Sequence, residues 1–220
     1  MRYFLYTSLL LLTLSCNKKI YKDKQEISFA SAISTADLRP RFEKELYRCV
    51  VDGKFALKKF HMSGLLYFKN FSDTAIRVLF QSEMGATFFD FGWDQKDSFK
   101  VYSIIDQMNK PALIKTLRKD FELLLVKNLG NTPSGIFNFN HDPSKSFVRF
   151  ELEKGFVYYI IDKERKLQGI ENADEQRKVV VMDMSPAETA QGLPASLSIK
   201  HLRAGFTIDL KKINRDDTAE

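Results

Sequence analysis

The residues on which chemistry could be built are three histidines, two cysteines and two neighbouring aspartates. His61, His141 and His201 do not stand at zinc-ligand spacing from one another or from a cysteine, so no metal site is expected. Asp90 and Asp94 could act as paired carboxylates, but solvated charges at the end of an edge strand are the simpler expectation. Asp90-Phe91-Gly92 spells a kinase tripeptide without the glycine-rich loop, lysine strand or catalytic loop that would give it meaning. There is no Gly-x-Ser-x-Gly elbow, phosphate loop or dinucleotide fingerprint. His201 alternates with Leu197 and Ile199 and reads as a satisfied, partly buried imidazole; His141-Asp142 reads as part of a turn. No nucleophile, base and orienting group can be assembled, so no catalytic residue and no cofactor is expected. Cys49 lies in the apolar run Leu46–Val51 and reads as a small core residue. Cys16 stands elsewhere, at the end of a leader.

Arg2 supplies a positive charge, and the segment from Phe4 to Leu14 is then almost entirely apolar. That run is too short to span a bilayer and has the length of a signal-peptide core. Ser15 and Cys16 follow, and Asn17, Lys18 and Lys19 end the apolar run abruptly. The segment resembles a bacterial lipoprotein signal, with Ser15-Cys16 in the lipobox positions and Thr13 where that family usually has leucine. The resemblance implies cleavage before Cys16 and two or three acyl chains on that residue, enough for lasting attachment where one chain binds marginally. Lys18, Lys19, Lys22 and Lys24 would add attraction to anionic headgroups. The chain divides accordingly into a signal peptide over 1–15, a lipidated tether over 16–40, one folded domain over 41–214 and a frayed tail over 215–220.

The body has the composition of a globular protein: of 220 residues, 44% are hydrophobic and 28% charged, which excludes disordered and collagen-like classes. The net charge of +6 suits anionic phospholipid as well as nucleic acid. The exported address and the lack of an aromatic-basic motif argue against a nucleic-acid partner. Period-two alternation dominates from Glu45 onward. Asp52-Gly53 reads as the turn between strands over 46–51 and 55–62, with a further strand over 65–69. Ile76, Val78 and Phe80 form one face of the next strand, Met84-Gly85 a turn, and Phe89, Phe91 and Trp93 one face of the strand after it. A strand over 99–105 precedes the one long helix. Asn109 is its expected cap, Pro111 lies in its first turn, Gly130 is its stop, and Leu113, Ile114, Leu117, Phe121, Leu124 and Leu125 form its apolar stripe. Lys115, Arg118, Lys119, Glu122 and Lys127 are expected to face away. Residues 131–146 read as a loop, and further strands run from Val148 to a last hairpin ending near Ile213. In the tether, a short helix over 38–44 is expected, capped by Asp37 and with Pro40 in its first turn.

About ten short strands and one amphipathic helix imply a mainly β (α+β) fold: a curled antiparallel sheet or half-barrel with the helix packed in or over it. Of the aromatic load, 19 Phe and 8 Tyr, the rings at strand period are expected to pack the inner face. They can form a packed core or the wall of an apolar cavity. The candidate lining is Ile76, Val78, Phe80, Phe89, Phe91 and Trp93 from the strands, with Leu117 and Phe121 from the helix.

Three stretches resemble the central strands and the entry to the final hairpin of a known family. They are Ser63-Gly64-Leu65-Leu66-Tyr67-Phe68-Lys69 with Arg77-Val78-Leu79-Phe80, Gly85-Ala86-Thr87-Phe88-Phe89-Asp90-Phe91, and Leu193-Pro194-Ala195-Ser196-Leu197. The family is that of the lipoprotein-localisation factors LolA and LolB and their envelope lipid-binding relatives, here of a Bacteroidetes type. The resemblance implies a concave apolar face that takes up acyl chains and an apolar loop tip, here Met84, that touches the membrane. The lysines after Cys16 favour the periplasmic leaflet of the outer membrane. The expected function is non-catalytic binding of a lipid or of lipoprotein acyl chains. The alternative is a structural lipoprotein that docks an envelope protein.

Overall fold

The structure, a computed structural model, describes residues 20–213 apart from 22, 30, 56–57, 72–74, 141 and 187–193. Cys16, the leader, Lys18, Lys19, Lys22, His141 and the acidic tail therefore lie outside the described residues. The chain is mainly β. Its strands are β1 (Lys24–Glu26), β2 (Lys44–Phe55), β3 (Lys58–Asn70), β4 (Ile76–Gln81), β5 (Thr87–Trp93), β6 (Phe99–Ile104), β7 (Gly135–Phe139), β8 (Asp142–Glu151), β9 (Phe156–Ile161), β10 (Leu167–Ala173), β11 (Lys178–Met184), β12 (Ser196–His201) and β13 (Phe206–Lys212). Among the described residues there are two helices, α1 (Thr35–Leu38) and α2 (Pro111–Leu124).

All thirteen strands form one antiparallel sheet in the order β1-β7-β8-β9-β10-β11-β12-β13-β2-β3-β4-β5-β6. The expectation of about ten strands and one amphipathic helix is corrected to thirteen strands and two helices among the described residues. One extra strand, β7, and the first half of β8 come from residues read as loop. β7 and the first half of β8 are rich in Asn, Ser and Pro, yet they pair as a hairpin because Phe137, Phe139 and Phe147 bury together on the outer face, against Tyr158. β1 and α1 likewise fall in the stretch read as a tether.

The turn expected at Asp52-Gly53 is not there. β2 runs through it to Phe55, and the register with β3 pairs Gly53 with Phe60 and Phe55 with Lys58. The glycine has another reason: a Cβ at Gly53 would come within 2.3–2.6 Å of the Phe60 ring and of Phe206. Packing therefore demands the residue that a turn would also favour. The segments 58–62 and 65–69 fuse into β3, with Gly64 against the Gln81 carbonyl of β4.

The short helix also differs from expectation. Ser34 starts it, and the Asp37 carboxylate accepts hydrogen bonds from the Ser34 N–H and Oγ, 2.8 Å each, so Asp37 closes a capping box from inside the first turn. Pro40 follows the helix, where its missing N–H and fixed φ prevent continuation.

The sheet is open, with β1 and β6 as its edges, and it bends around α2. Phe121 on α2 touches Phe68 of β3 and Phe89 and Trp93 of β5, with ring centroids 6.3, 5.9 and 6.4 Å apart. Two residues earlier, Lys119 reaches Asn172 of β10 at 2.8 Å. β10 and β5 are fifth and twelfth in the sheet. Seven spacings of about 4.8 Å would separate them by roughly 34 Å if the sheet were flat. A helix about 10–12 Å across cannot bridge that distance.

α2 starts at Lys110, with Pro111 at its first position, and ends at Leu124, well short of Gly130. Lys127 N–H donates to the Glu122 carbonyl and Val126 N–H to that of Leu123, a Schellman closure. Its left-handed position holds Val126 (φ 52°) rather than glycine. This β-branched residue tolerates the strain because it is fully buried and the Arg39 guanidinium donates to its carbonyl at 3.1 Å.

Candidate functional site

The eight candidate lining residues do come together. Ile76, Val78 and Phe80 alternate along β4 and point into the bend; Phe89, Phe91 and Trp93 do the same from the adjacent β5. Leu117 and Phe121 meet them from α2, and all eight are buried in one cluster. Phe89 and Phe91 stack at 4.5 Å, Phe91 meets Phe99 edge-on at 5.2 Å, and Phe42 stacks on Phe68 at 4.2 Å. These rings are in contact with each other and with the helix. The aromatic wall exists, and α2 lies against it.

What holds α2 there is partly polar, and this part was hidden from sequence reasoning. The His201 imidazole on β12 and the Asp120 carboxylate on α2 share a hydrogen bond of 2.8 Å, both side chains buried, and His201 stacks on Phe206 at 4.0 Å. Burial holds the Asp120 carboxyl above the usual carboxylate range, and the His201 and Lys119 interactions pull the other way. One signal was legible: Asp120 falls on the apolar stripe, three residues after Leu117 and four before Leu124. Its partner, 81 residues away, was not legible. His201 as a satisfied, buried imidazole agrees with expectation.

Three further ties complete the seat. Tyr159 O–H on β9 donates to the Leu123 carbonyl at 2.7 Å, so a buried phenol adds a second, shorter hydrogen bond to the carbonyl that Val126 N–H also reaches. The Trp93 indole N–H donates to Glu122 Oε1 at 3.2 Å, and Arg118 and Asn128 donate to the same oxygen at 2.7 and 2.8 Å. Lys119 is half-buried rather than facing away, and Lys127 is buried beyond the helix, paired with Asp97.

The carboxylate pair resolves differently from expectation. β5 is an interior strand, and Asp90 is buried on its outer face, where Arg77 of β4 grips it through Nε (2.9 Å) and a second guanidinium nitrogen. Arg77 also covers the Tyr102 ring at 4.1 Å. Asp94 accepts the backbone N–H groups of Lys96 and Ser98, which holds its carboxyl below the usual range and shapes a turn. The two aspartates thus face different surroundings and form no acid–base pair. His61 is exposed and paired with Asp52 across β2 and β3 at 2.8 Å. Cys49 is buried, and burial with help from Asp209 pushes its thiol up to about 12.

Among the described residues, no group of His, Cys, Asp and Glu is placed to hold a metal ion, and no helix is long and apolar enough to cross a membrane. Met84 sits at the tip of the β4–β5 hairpin, next to Gly85 at φ 86°, and is 96% exposed, more than any other exposed large hydrophobic side chain described.

No protein-family model and no curated protein matches the sequence. Among solved structures, the chain is similar to a LolA superfamily protein from Nitrosomonas europaea, with a TM-score of 0.51 and 6% identity over 82% of this chain and 89% of that one. It also aligns with a DUF1329 family protein from Desulfovibrio piger, with a TM-score of 0.47 and 11% identity over 82% and 87% of the two chains. At such identity the first likeness is one of fold.

Proposed function

We propose that this chain is an exported lipoprotein, anchored through acylated Cys16 to the periplasmic leaflet of the outer membrane, whose half-barrel takes up an apolar ligand without catalysis. The ligand is a lipid or the acyl chains of another lipoprotein, and it occupies the aromatic wall when α2 moves off. One observation carries the reading: the rings of β4 and β5 are covered by a single fourteen-residue helix. The fold shared with a LolA superfamily protein supports it.

The energetics are compatible with exchange. α2 buries four large apolar side chains, Leu117, Phe121, Leu123 and Leu124. At about 1.5–3 kcal/mol each, uncovering them costs roughly 6–12 kcal/mol. A sixteen-carbon acyl chain regains about 12 kcal/mol at about 0.8 kcal/mol per methylene. Helix and ligand are therefore comparable occupants of one surface. In this reading Met84, the most exposed of the described large hydrophobic side chains, touches the bilayer from which a ligand is drawn.

The fragment 17–220 keeps every described strand, both helices and both apolar clusters, so it is the material for the test. Trp93 is the only tryptophan and lies at the seam between α2 and the sheet, so its emission reports uncovering of the wall. Native mass spectrometry is expected to show co-purified lipid, and added palmitate to shift Trp93 emission saturably. A fragment that stays empty with unchanged emission overturns the reading. The anchor is tested separately: Cys16→Ser should release the protein from envelopes during a high-salt wash, and retention refutes anchoring.

A second reading has an observation of its own, since the wall is already filled by packed rings. A structural lipoprotein that docks an envelope partner would keep α2 in place, and crosslinking in cells would then return one dominant protein.

A further inference from the structure

The outward face of α2 borders an open cleft of about 440 Å3 that the acyl-binding reading does not use. Its walls are Lys115, Arg118 and Lys119 on one side and the β8–β9 turn, with Lys154, on the other. Most acidic charge near it is already committed. Glu122 accepts from Trp93, Arg118 and Asn128, and Asp120 is turned inward onto His201. Lys119 gives its hydrogen bond to a neutral acceptor, the Asn172 side chain. Among the described residues, Lys115 and Lys154 have no ion-pair partner, and Glu153 is the one lining carboxylate left to face them.

We infer that this cleft binds a phosphate group, held between Lys115 and Lys119 of α2 and Lys154 of the turn. Ammonium groups act as compact point charges for phosphate, which offers several acceptor oxygens to donors arriving from different directions. A monovalent, planar carboxylate would engage fewer of them. Burial and the neighbouring Lys115 hold Lys119 below its ordinary range, the condition that an arriving anion relieves. Where the ligand is an anionic phospholipid, the assignment rests on the acyl-binding reading: the cleft takes the phosphate while α2 is still seated, before the chains displace the helix and part its walls. Free phosphate has the same chemistry, and the arms of the test separate the two.

Fragment 17–220 would be titrated by calorimetry with inorganic phosphate, with dihexanoylphosphatidylglycerol and with neutral dihexanoylglycerol, in parallel with uptake of the uncharged dye N-phenylnaphthylamine. The phosphorylated ligands are expected to bind and to lose affinity with rising salt. In Lys115→Gln/Lys154→Gln, two exposed changes away from the core, their affinity should fall about tenfold or more. Dye uptake should not change. Phosphate and phospholipid binding with equal affinity assigns the free anion as source; a clear preference for the phospholipid assigns the headgroup. Both outcomes support the site. Unaltered phosphate and phospholipid affinity in the double variant, or no binding of either by the unaltered fragment, overturns it. Loss of dye uptake in the unaltered fragment would instead overturn the acyl-binding reading and leave the phosphate titration to be judged by itself. Lys119→Gln, which can keep a hydrogen bond to Asn172, serves as an independent variant and should weaken phosphate binding in the same direction.

Discussion

Truncating Phe121 tests the contact on which the architecture turns. Its ring meets Phe68, Phe89 and Trp93 and is fully buried, so Phe121→Ala removes a large side chain from the point where helix and sheet are held together. Phenylalanine-to-alanine changes in cores cost about 3–5 kcal/mol, the transfer term plus the cavity. Three aromatic partners place this site in the upper half of that range, since such pairs contribute about 0.5–1.5 kcal/mol beyond area burial. Against a total stability of about 5–15 kcal/mol the variant should fold but be visibly weakened. Urea unfolding followed by Trp93 emission and by far-ultraviolet circular dichroism should show the midpoint lowered by about 1–2 M, with the slope little changed. Phe121→Leu, which refills much of the volume, should cost only about 1–1.5 kcal/mol. If Phe121→Ala costs less than about 1 kcal/mol, α2 is not packed into the bend as described, and the reasoning about a covered wall fails with it.

Other outcomes follow from the same structure. Cys49, with its thiol pushed up to about 12, should resist a disulfide reagent at pH 8 in the folded protein and react fully in urea; fast labelling of the native state would contradict its burial. Asp120→Ala should cost about 1–3 kcal/mol by leaving the buried His201 ring nitrogen without its partner, whereas Asp120→Asn keeps a polar partner. Because the folded Asp120 carboxyl titrates above its unfolded value, its contribution is fully present at low pH and is lost as pH rises through the raised value. Wild type should therefore lose stability relative to Asp120→Asn as pH rises above the ordinary carboxylate range, and a difference that stays constant as pH rises would refute the assignment. Gly64→Ala should destabilise by ~2 kcal/mol or more and disturb the β3–β4 pairing, since its Cβ would fall 2.0 Å from the Gln81 carbonyl; denaturant unfolding at unchanged stability would speak against that close approach.

How much of this was legible in the residues depends on the range of the interaction that decides each feature. Alternation at Ile76-Val78-Phe80 and Phe89-Phe91-Trp93, and the stripe Leu113-Leu117-Phe121-Leu124, are local periods, and both the strands and the helix stand where those periods put them. That the eight candidate residues share one buried face was legible for the same reason, because each period marks the face that avoids water. Features decided by a distant partner were not legible. Residues 131–146 read as loop by composition, but the Phe137–Phe147–Tyr158 cluster and the edge they offer to β1 turn them into strands. Asp52-Gly53 is a turn by its letters and a strand by its neighbours, because Phe60 and Phe206 need the space a side chain would fill. Asp90 was expected in solvent and is instead gripped by Arg77, a neighbour that exists only once β4 and β5 pair. Asp120 and His201 show the limit most directly: a carboxylate on an apolar stripe signals that something must satisfy it, but only the bend of the sheet around α2 brings the imidazole to it. By itself the sequence determined which faces are apolar and how the backbone repeats, since both are set within a few residues. The tertiary structure decided how far the sheet extends, which polar groups are buried together and what covers the aromatic wall, since those depend on contacts between residues far apart in the chain.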